Sequence, residues 1–370
     1  MIKYDWKNNS KIKETVKGYL RENKTCKQIA AELDTSYCTI ERAIVHYNLR
    51  EGIPAPERSE KGITAKQQSG IARELIYLIK EELATLPPEI RVKAKIKING
   101  DTLVIQFTDW HIGKVVKDEF GVEIYNVPIF RKRINKLLSE ILGLLDSYIS
   151  KGTPIRDVVI LCTGDILDGM GIYASQATKS ELAPPFQVIL AAEVIRSFIL
   201  ALLARKLPVK FYGVKGNHGE IRGEGGKSKD PNANWDLMLY LMLDWWTKDN
   251  MKGRNLEIHY SELDYMNVEI QGWRYNVRHI APVQAEAPQG KGKILAWAKK
   301  HKVHGVVYGH YHHWGINDRS GIVVVRGGSV CGQDDLSEAM GEESDPAQLI
   351  WGVCKDRPLS FAYPVDLGKK

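Results

Sequence analysis

Between residues 101 and 330 the chain alternates short β-branched runs with longer apolar-periodic stretches, and five of the runs end in Asp, Asn or His. TLVIQFTD (102–109) is followed by a helical pattern at 129–150, DVVILCTGD (157–165) by one at 186–205, and VKFYGVKGN (209–217) by one at 235–247. NLEIHYSEL, WRYNVRHI, GVVYGHYHH and GIVVVRGG then follow with little helix between them. Runs of four to eight apolar residues bounded by Gly and polar clusters read as strands. An α/β beginning with a β-rich second half points to layered sheets rather than a barrel.

The strand-end residues form a chemical series. The first run leads into Asp109-Trp110-His111, and residues two apart on an extended backbone point the same way, so Asp109 and His111 can grip one ion. The second run ends in Gly164-Asp165, the third in Gly216-Asn217-His218, a later one in His279, and another in Gly309-His310-Tyr311-His312. One such ending is ordinarily a capped strand or a packed histidine. Five in this order, gathered where α/β sheets build sites, point to a metal centre.

The order D-x-H, G-D, G-N-H, H and G-H-x-H over about residues 101–330 resembles the calcineurin-like metallophosphoesterase superfamily. The resemblance implies an α/β/β/α sandwich of two mixed sheets flanked by helices. It also implies that Asp109, His111 and His312 hold one metal, that Asn217, His279 and His310 hold a second, and that Asp165 bridges both. His218 would stay off the metals and face the scissile phosphate. Such donors suit Mn²⁺ foremost, with Fe²⁺ or Zn²⁺ as alternatives. The resemblance implies that two ions held there would lower the pKa of a water towards neutrality and offset the charge gathering on the phosphate. A protonated His218 would add roughly 10²–10⁴ in rate.

Three departures refine this. GDILDGM lacks the arginine of the G-D-x-x-D-R-G segment in the Ser/Thr protein phosphatase branch, and G-H-x-H is foreign to that branch. GNHGE lacks the acidic residue that usually follows the histidine in the repair nucleases, and it opens a glycine-rich stretch at 219–234, either a solvated rim or a substrate gate. His279 precedes Ile-Ala-Pro where the family often has Gly, and His259 is its rival as a ligand.

The N-terminal part differs in charge. The net charge is +7, and residues 1–100, with 19 Lys+Arg against 13 Asp+Glu, supply +6 of it. Such a surplus fits phosphate-backbone attraction, or simply a lysine-rich surface. Residues 11–50 read as three short helices, and TCKQIAAELDTSYCTIERAI resembles the helix-turn-helix family. That resemblance implies a DNA-reading segment exposing Ser36, Tyr37, Thr39 and Arg42. The alternative is a helical trio used for protein contacts or packing. The expected division is a helix-turn-helix-like module at 1–52, a linker and helix at 53–90, and a catalytic domain at 91–370. The last would open with a hairpin around Asn99-Gly100.

The leading expectation is a phosphodiesterase acting on DNA, a nuclease resembling the DNA-repair branch and phage-encoded metallophosphoesterases. Two alternatives stand beside it: a phosphatase or phosphodiesterase for a small molecule, and a DNA-binding regulator or scaffold that keeps the metal-site residues. The polar start, the absence of a window of 18 continuous apolar residues and five scattered cysteines suit the cytoplasm of a bacterial or phage-infected cell, with no membrane partner.

Overall fold

In the computed structural model, β1 (Asp101–Phe107) sends Leu103, Ile105 and Phe107 into one core and Val104 into another, as the two-residue period of a strand dictates. The structure describes residues 10–22, 24, 26–35, 40, 43–44, 47, 49, 99–151, 154–172, 176–223, 226–228, 230–285, 287–332 and 344–368. The chain divides into two compact units, Met1–Gly62 and Ile63–Lys370.

In the larger unit β1 lies between β4 (Ile155–Cys162), its parallel neighbour, and β14 (Ala347–Cys354), its antiparallel one. β5 (Val209–Gly213) and β8 (Leu256–Tyr260) continue the parallel side, and β15 (Arg357–Asp366) closes the other edge. A second sheet runs in the order β12 (Gly315–Arg319), β13 (Ile322–Arg326), β11 (Gly305–Tyr308), β10 (Trp273–Arg278), β9 (Tyr265–Ile270). Its three central strands are parallel and its two edges antiparallel. Two short ribbons complete the described strands, β2 (Val116–Lys117) with β3 (Glu123–Tyr125) and β6 (Arg222–Gly223) with β7 (Gly226–Lys227).

Side-chain alternation stacks these sheets into layers. Val104, Val159, Leu161 and Trp351 of the first sheet meet Val277, Val307, Val323 and Val325 of the second. The opposite face of the first sheet packs under the helices Val127–Ser150, Pro184–Ala204 and Trp235–Asn250. Val306, Tyr308 and Val324 leave the second sheet outward and pack with Ile294 and Ala298 of the helix Gly290–Lys300. The result is the α/β/β/α sandwich, with a mixed sheet in each β layer. Below the helices Trp110 stacks between Phe107 and Phe130, with centroids 4.7 and 5.8 Å away. Each such pair is worth about 0.5–1.5 kcal/mol beyond its buried area.

Several details depart from the sequence expectation. The helix Gly290–Lys300 is additional; its GKGKILAWAKK sequence has two glycines and an inward stripe of only Ile294 and Ala298, too sparse for a periodic signal. β1 is no hairpin arm, because β4 and β14 occupy both its edges; the other expected arm and the helix at 70–86 lie outside the described residues. The Pro184–Ala204 helix is long and apolar enough to cross a membrane by composition, and 61% of its most apolar window is buried in this core.

In the smaller unit the helix Ser10–Arg21 buries Ile12, Val16 and Leu20, and the helix Cys26–Glu32 contributes Ile29 and Ala30. Both pack with Ile40, Ile44 and Leu49. Ser36, Tyr37, Thr39 and Arg42, the expected DNA-reading residues, lie outside the described residues.

Candidate metal centre

Every parallel strand that ends beside the inter-sheet layer, β8 and β13 apart, contributes a polar loop. β1 leads to Asp109 and His111, β4 to Asp165, β5 to Asn217 and His218, β10 to His279, and β11 to His310 and His312. The strands themselves stop short: β1 ends at Phe107 and β11 at Tyr308, so the i, i+2 pairs are not strand neighbours. Their side chains converge because the backbone turns left-handed, with φ of 51° at Asp109, 45° at His111, 52° at Asp165, 77° at His310 and 62° at His312. Such conformations cost of order 1–3 kcal/mol each and persist only where the surroundings impose them.

Close approach of the loops sets the neighbouring glycines. A Cβ on Gly216 would sit 2.1 Å from the Asp165 carboxylate, and one on Gly309 would sit 2.6 Å from that of Asp109. Larger residues there would push the two carboxylates away from the cluster.

Two donor sets result. In the first, His111 Nε2 and His312 Nε2 are 3.0 Å apart, and Asp109 Oδ1 lies 3.9 and 3.7 Å from them. In the second, His279 Nε2 lies 2.9 Å from Asp165 Oδ2, 3.0 Å from Asn217 Oδ1 and 3.2 Å from His310 Nδ1. Asp109, His111, Asp165 and His279 are almost completely buried. His259, the alternative to His279, is instead exposed on β8, stacked on Tyr212 and 3.1 Å from Glu257.

The donor chemistry fits cations. His279 Nδ1 lies 2.8 Å from the Thr163 carbonyl, which can only accept, so Nδ1 carries the hydrogen. A neutral His279 then turns an Nε2 lone pair onto a carboxylate oxygen and an amide oxygen. Only added positive charge, a proton or a metal ion, relieves that arrangement. The same demand pushes the His279 pKa up to about 9, since burial opposes protonation but the Asp165 charge outweighs it. Burial and then the His279 charge push His310 down to about 4. Asp109 Oδ1 is buried without a hydrogen bond, and burial raises the Asp109 pKa; its Oδ2 accepts from Thr108 Oγ1 at 2.6 Å and His310 N at 3.0 Å. Burial also works against Asp165, yet the His279 and His218 charges hold its carboxyl well below the ordinary range. Mixed oxygen and imidazole donors in sets of three and four suit borderline divalent metals.

Behind the donors stand two carboxylates that the motifs did not mark. Asp168 lies 3.6 Å from His111 Nδ1 and 3.3 Å from His218 Nδ1. His111 thus turns Nε2 to His312 and its Nδ1 towards Asp168, at ion-pair distance but without a hydrogen bond. Burial resists ionisation of Asp168, but the two imidazoles hold its pKa low. His218 Nδ1 is also 3.2 Å from the Asp168 carbonyl. Burial lowers the His218 pKa, and the Asp165 and Asp168 charges reverse that into a net rise. Asp236, near the start of the Trp235–Asn250 helix, accepts from Asp165 N at 3.0 Å and Gly216 N at 2.9 Å. Burial, then the Asp165 charge, push it up to about 7. Asp168 had a signal in the second aspartate of G-D-x-x-D; Asp236, buried inside an apolar helix, had none.

The sequence profile described as calcineurin-like phosphoesterase matches residues 102–314, a span that takes in both donor sets. Among solved structures, Vps29 of Entamoeba histolytica complexed with Zn²⁺ is 14% identical, with 72% of this chain and 100% of that chain covered at a TM-score of 0.34. Vacuolar protein sorting 29 of Cryptosporidium parvum is 13% identical over 72% of this chain and 100% of that one, with a TM-score of 0.33. An archaeal phosphodiesterase is 12% identical over 72% and 99% respectively, with a TM-score of 0.32. No curated protein sequence matches the chain.

Proposed function

Since the chain belongs to the calcineurin-like phosphoesterase family, whose members are metal-dependent phosphoester hydrolases, we propose that it is a two-metal phosphodiesterase acting on nucleic acid, a DNA nuclease of the cytoplasm. The observation that carries the reading is the convergence of two donor sets, with the Asp165 carboxylate 2.9 Å from His279 Nε2 of one and the Asp165 carbonyl accepting from His111 N of the other at 3.1 Å. Asp109, His111 and His312 would hold one divalent ion, and Asn217, His279 and His310 the other, with Asp165 reaching both. Mn²⁺ suits the donors best, with Fe²⁺ or Zn²⁺ next. Ions there supply Lewis acidity and lower the pKa of a water towards neutrality.

The protein's own residues do the rest. Asp168 fixes His218 by its Nδ1, so a proton held on Nε2 is aimed at the leaving oxygen of the diester. The amide of His218 donates to Asp165 Oδ1 at 2.7 Å, tying the proton donor to the shared carboxylate. Nucleic acid as substrate is supported by the G-H-x-H form of the site and by the +6 carried on residues 1–100.

Assays on labelled single- and double-stranded DNA, a model diester and a model monoester, each with Mn²⁺, Mg²⁺ and Zn²⁺, test the reading. DNA and diester cleavage are expected. Deleting residues 1–52 should leave diester turnover intact and weaken DNA binding. Rapid monoester hydrolysis with inert DNA would assign a small-molecule substrate instead, and a chain binding DNA equally well without residues 1–52 would remove the helix-turn-helix-like module from the account.

A further inference from the structure

Asp109 is a candidate ligand in a left-handed conformation, and its backbone is held from every side. Its N–H donates to Gly164 O at 3.1 Å, and its carbonyl accepts from Val330 N at 3.1 Å and Ser329 Oγ at 2.8 Å. Among the described residues, Thr108 and Trp110 on either side of it share one hydrogen-bond partner, Gln348. This side chain is completely buried on β14, beyond the 102–314 span that the family profile matches. Its Oε1 accepts from Thr108 N and from the Trp110 indole Nε1, both at 3.1 Å. Its Nε2 donates to Thr108 O at 3.0 Å, Gly328 O at 2.9 Å and Ala347 O at 3.0 Å.

We propose that Gln348 is the positioning residue of the Asp109 half of the metal centre, holding Asp109 in its strained conformation so that its carboxylate faces His111 and His312. The inference rests on the two-metal reading above. A planar amide is the side chain that can do this. It offers an acceptor to two N–H groups and, 120° away, a donor to three carbonyls. A glutamate would set an oxygen against those carbonyls, and a methionine would leave five polar groups of the protein without a partner in a dry site. With Thr108 and Trp110 released, Asp109 relaxes towards ordinary φ and swings its carboxylate off the cluster. Among the described residues, none of the Gln348 hydrogen bonds goes to the second donor set, on the loops after β4, β5, β10 and β11.

Mn²⁺ binding by calorimetry to the full chain tests this, with unfolding temperatures measured in parallel. Wild type should take up two Mn²⁺. Gln348→Met should weaken one of them about 10–100-fold, the usual effect of removing a residue that supports a metal ligand, and weaken the other distinctly less, through the bond from His310 N to Asp109 Oδ2. Trp110→Phe, which deletes only one bond to Oε1, should weaken the same ion by less, and it decides the matter if Gln348→Met does not fold. Unchanged binding in the folded variants, or equal weakening of both ions, would overturn the proposal. A wild-type chain taking up no Mn²⁺ would reject the two-metal reading itself, and this inference with it.

Discussion

β1 and the four residues that follow it are built on opposite terms. From Asp101 to Phe107 the backbone is extended and paired on both edges, and Leu103, Ile105 and Phe107 fill one core while Val104 fills the other. From Thr108 to His111 pairing ends, two residues take positive φ, and the side chains of Asp109 and His111 are buried where the donors of four other loops gather. The strand is stabilised by what it buries. The loop is held against its own preference, in a place where an apolar residue would pack better. Relaxed sandwich and strained rim are one polypeptide, and the strain lies where the cation site is proposed.

The contrast can be broken from either side. The largest effect should come from Asp165→Asn, which removes the carboxylate proposed above to reach both ions. Diester turnover should fall about 10³-fold or more, since metal-held charge stabilisation is worth several kcal/mol, while the thermal unfolding midpoint barely moves. Next comes Leu103→Ala in the core under the helices. It should destabilise the fold by about 2–5 kcal/mol in chemical denaturation yet leave turnover per folded molecule unchanged. If Leu103→Ala abolished activity in the fully folded protein, strand and loop would not be separable.

Asp168→Asn should be smaller again, lowering kcat about 10–100-fold through misoriented His111 and His218. The smallest effect has the opposite sign. His310→Gly, at φ 77°, should raise the stability of the metal-free protein by about 1 kcal/mol, measured by denaturant titration, while activity is lost. A clear destabilisation instead would mean that the left-handed rim carries no strain.

Which parts could be read from the sequence follows from the same division. Two-residue alternation and amphipathic periodicity are local properties, so β1, β4, β5, β10, β11 and β13 and the helices Val127–Ser150, Pro184–Ala204 and Trp235–Asn250 were legible to within a few residues. The polar strand ends were legible as chemistry. The backbone that brings them together was not, because Asp and His, though enriched at positive φ among non-glycine residues, signal it far more weakly than glycine does. Asp236, Gln348 and the Gly290–Lys300 helix escaped for another reason. Their roles exist only through partners distant in the chain, such as Asp165 for Asp236 and Thr108 for Gln348.

Anomalous scattering from crystals soaked in Mn²⁺ bears most directly on the central claim, that loops of both sheets converge on a pair of cations. Two peaks are predicted, one among Asp109, His111 and His312 and one among Asn217, His279 and His310, each in contact with Asp165. A single peak clear of Asp165, or manganese bound only outside this cluster, would contradict the account.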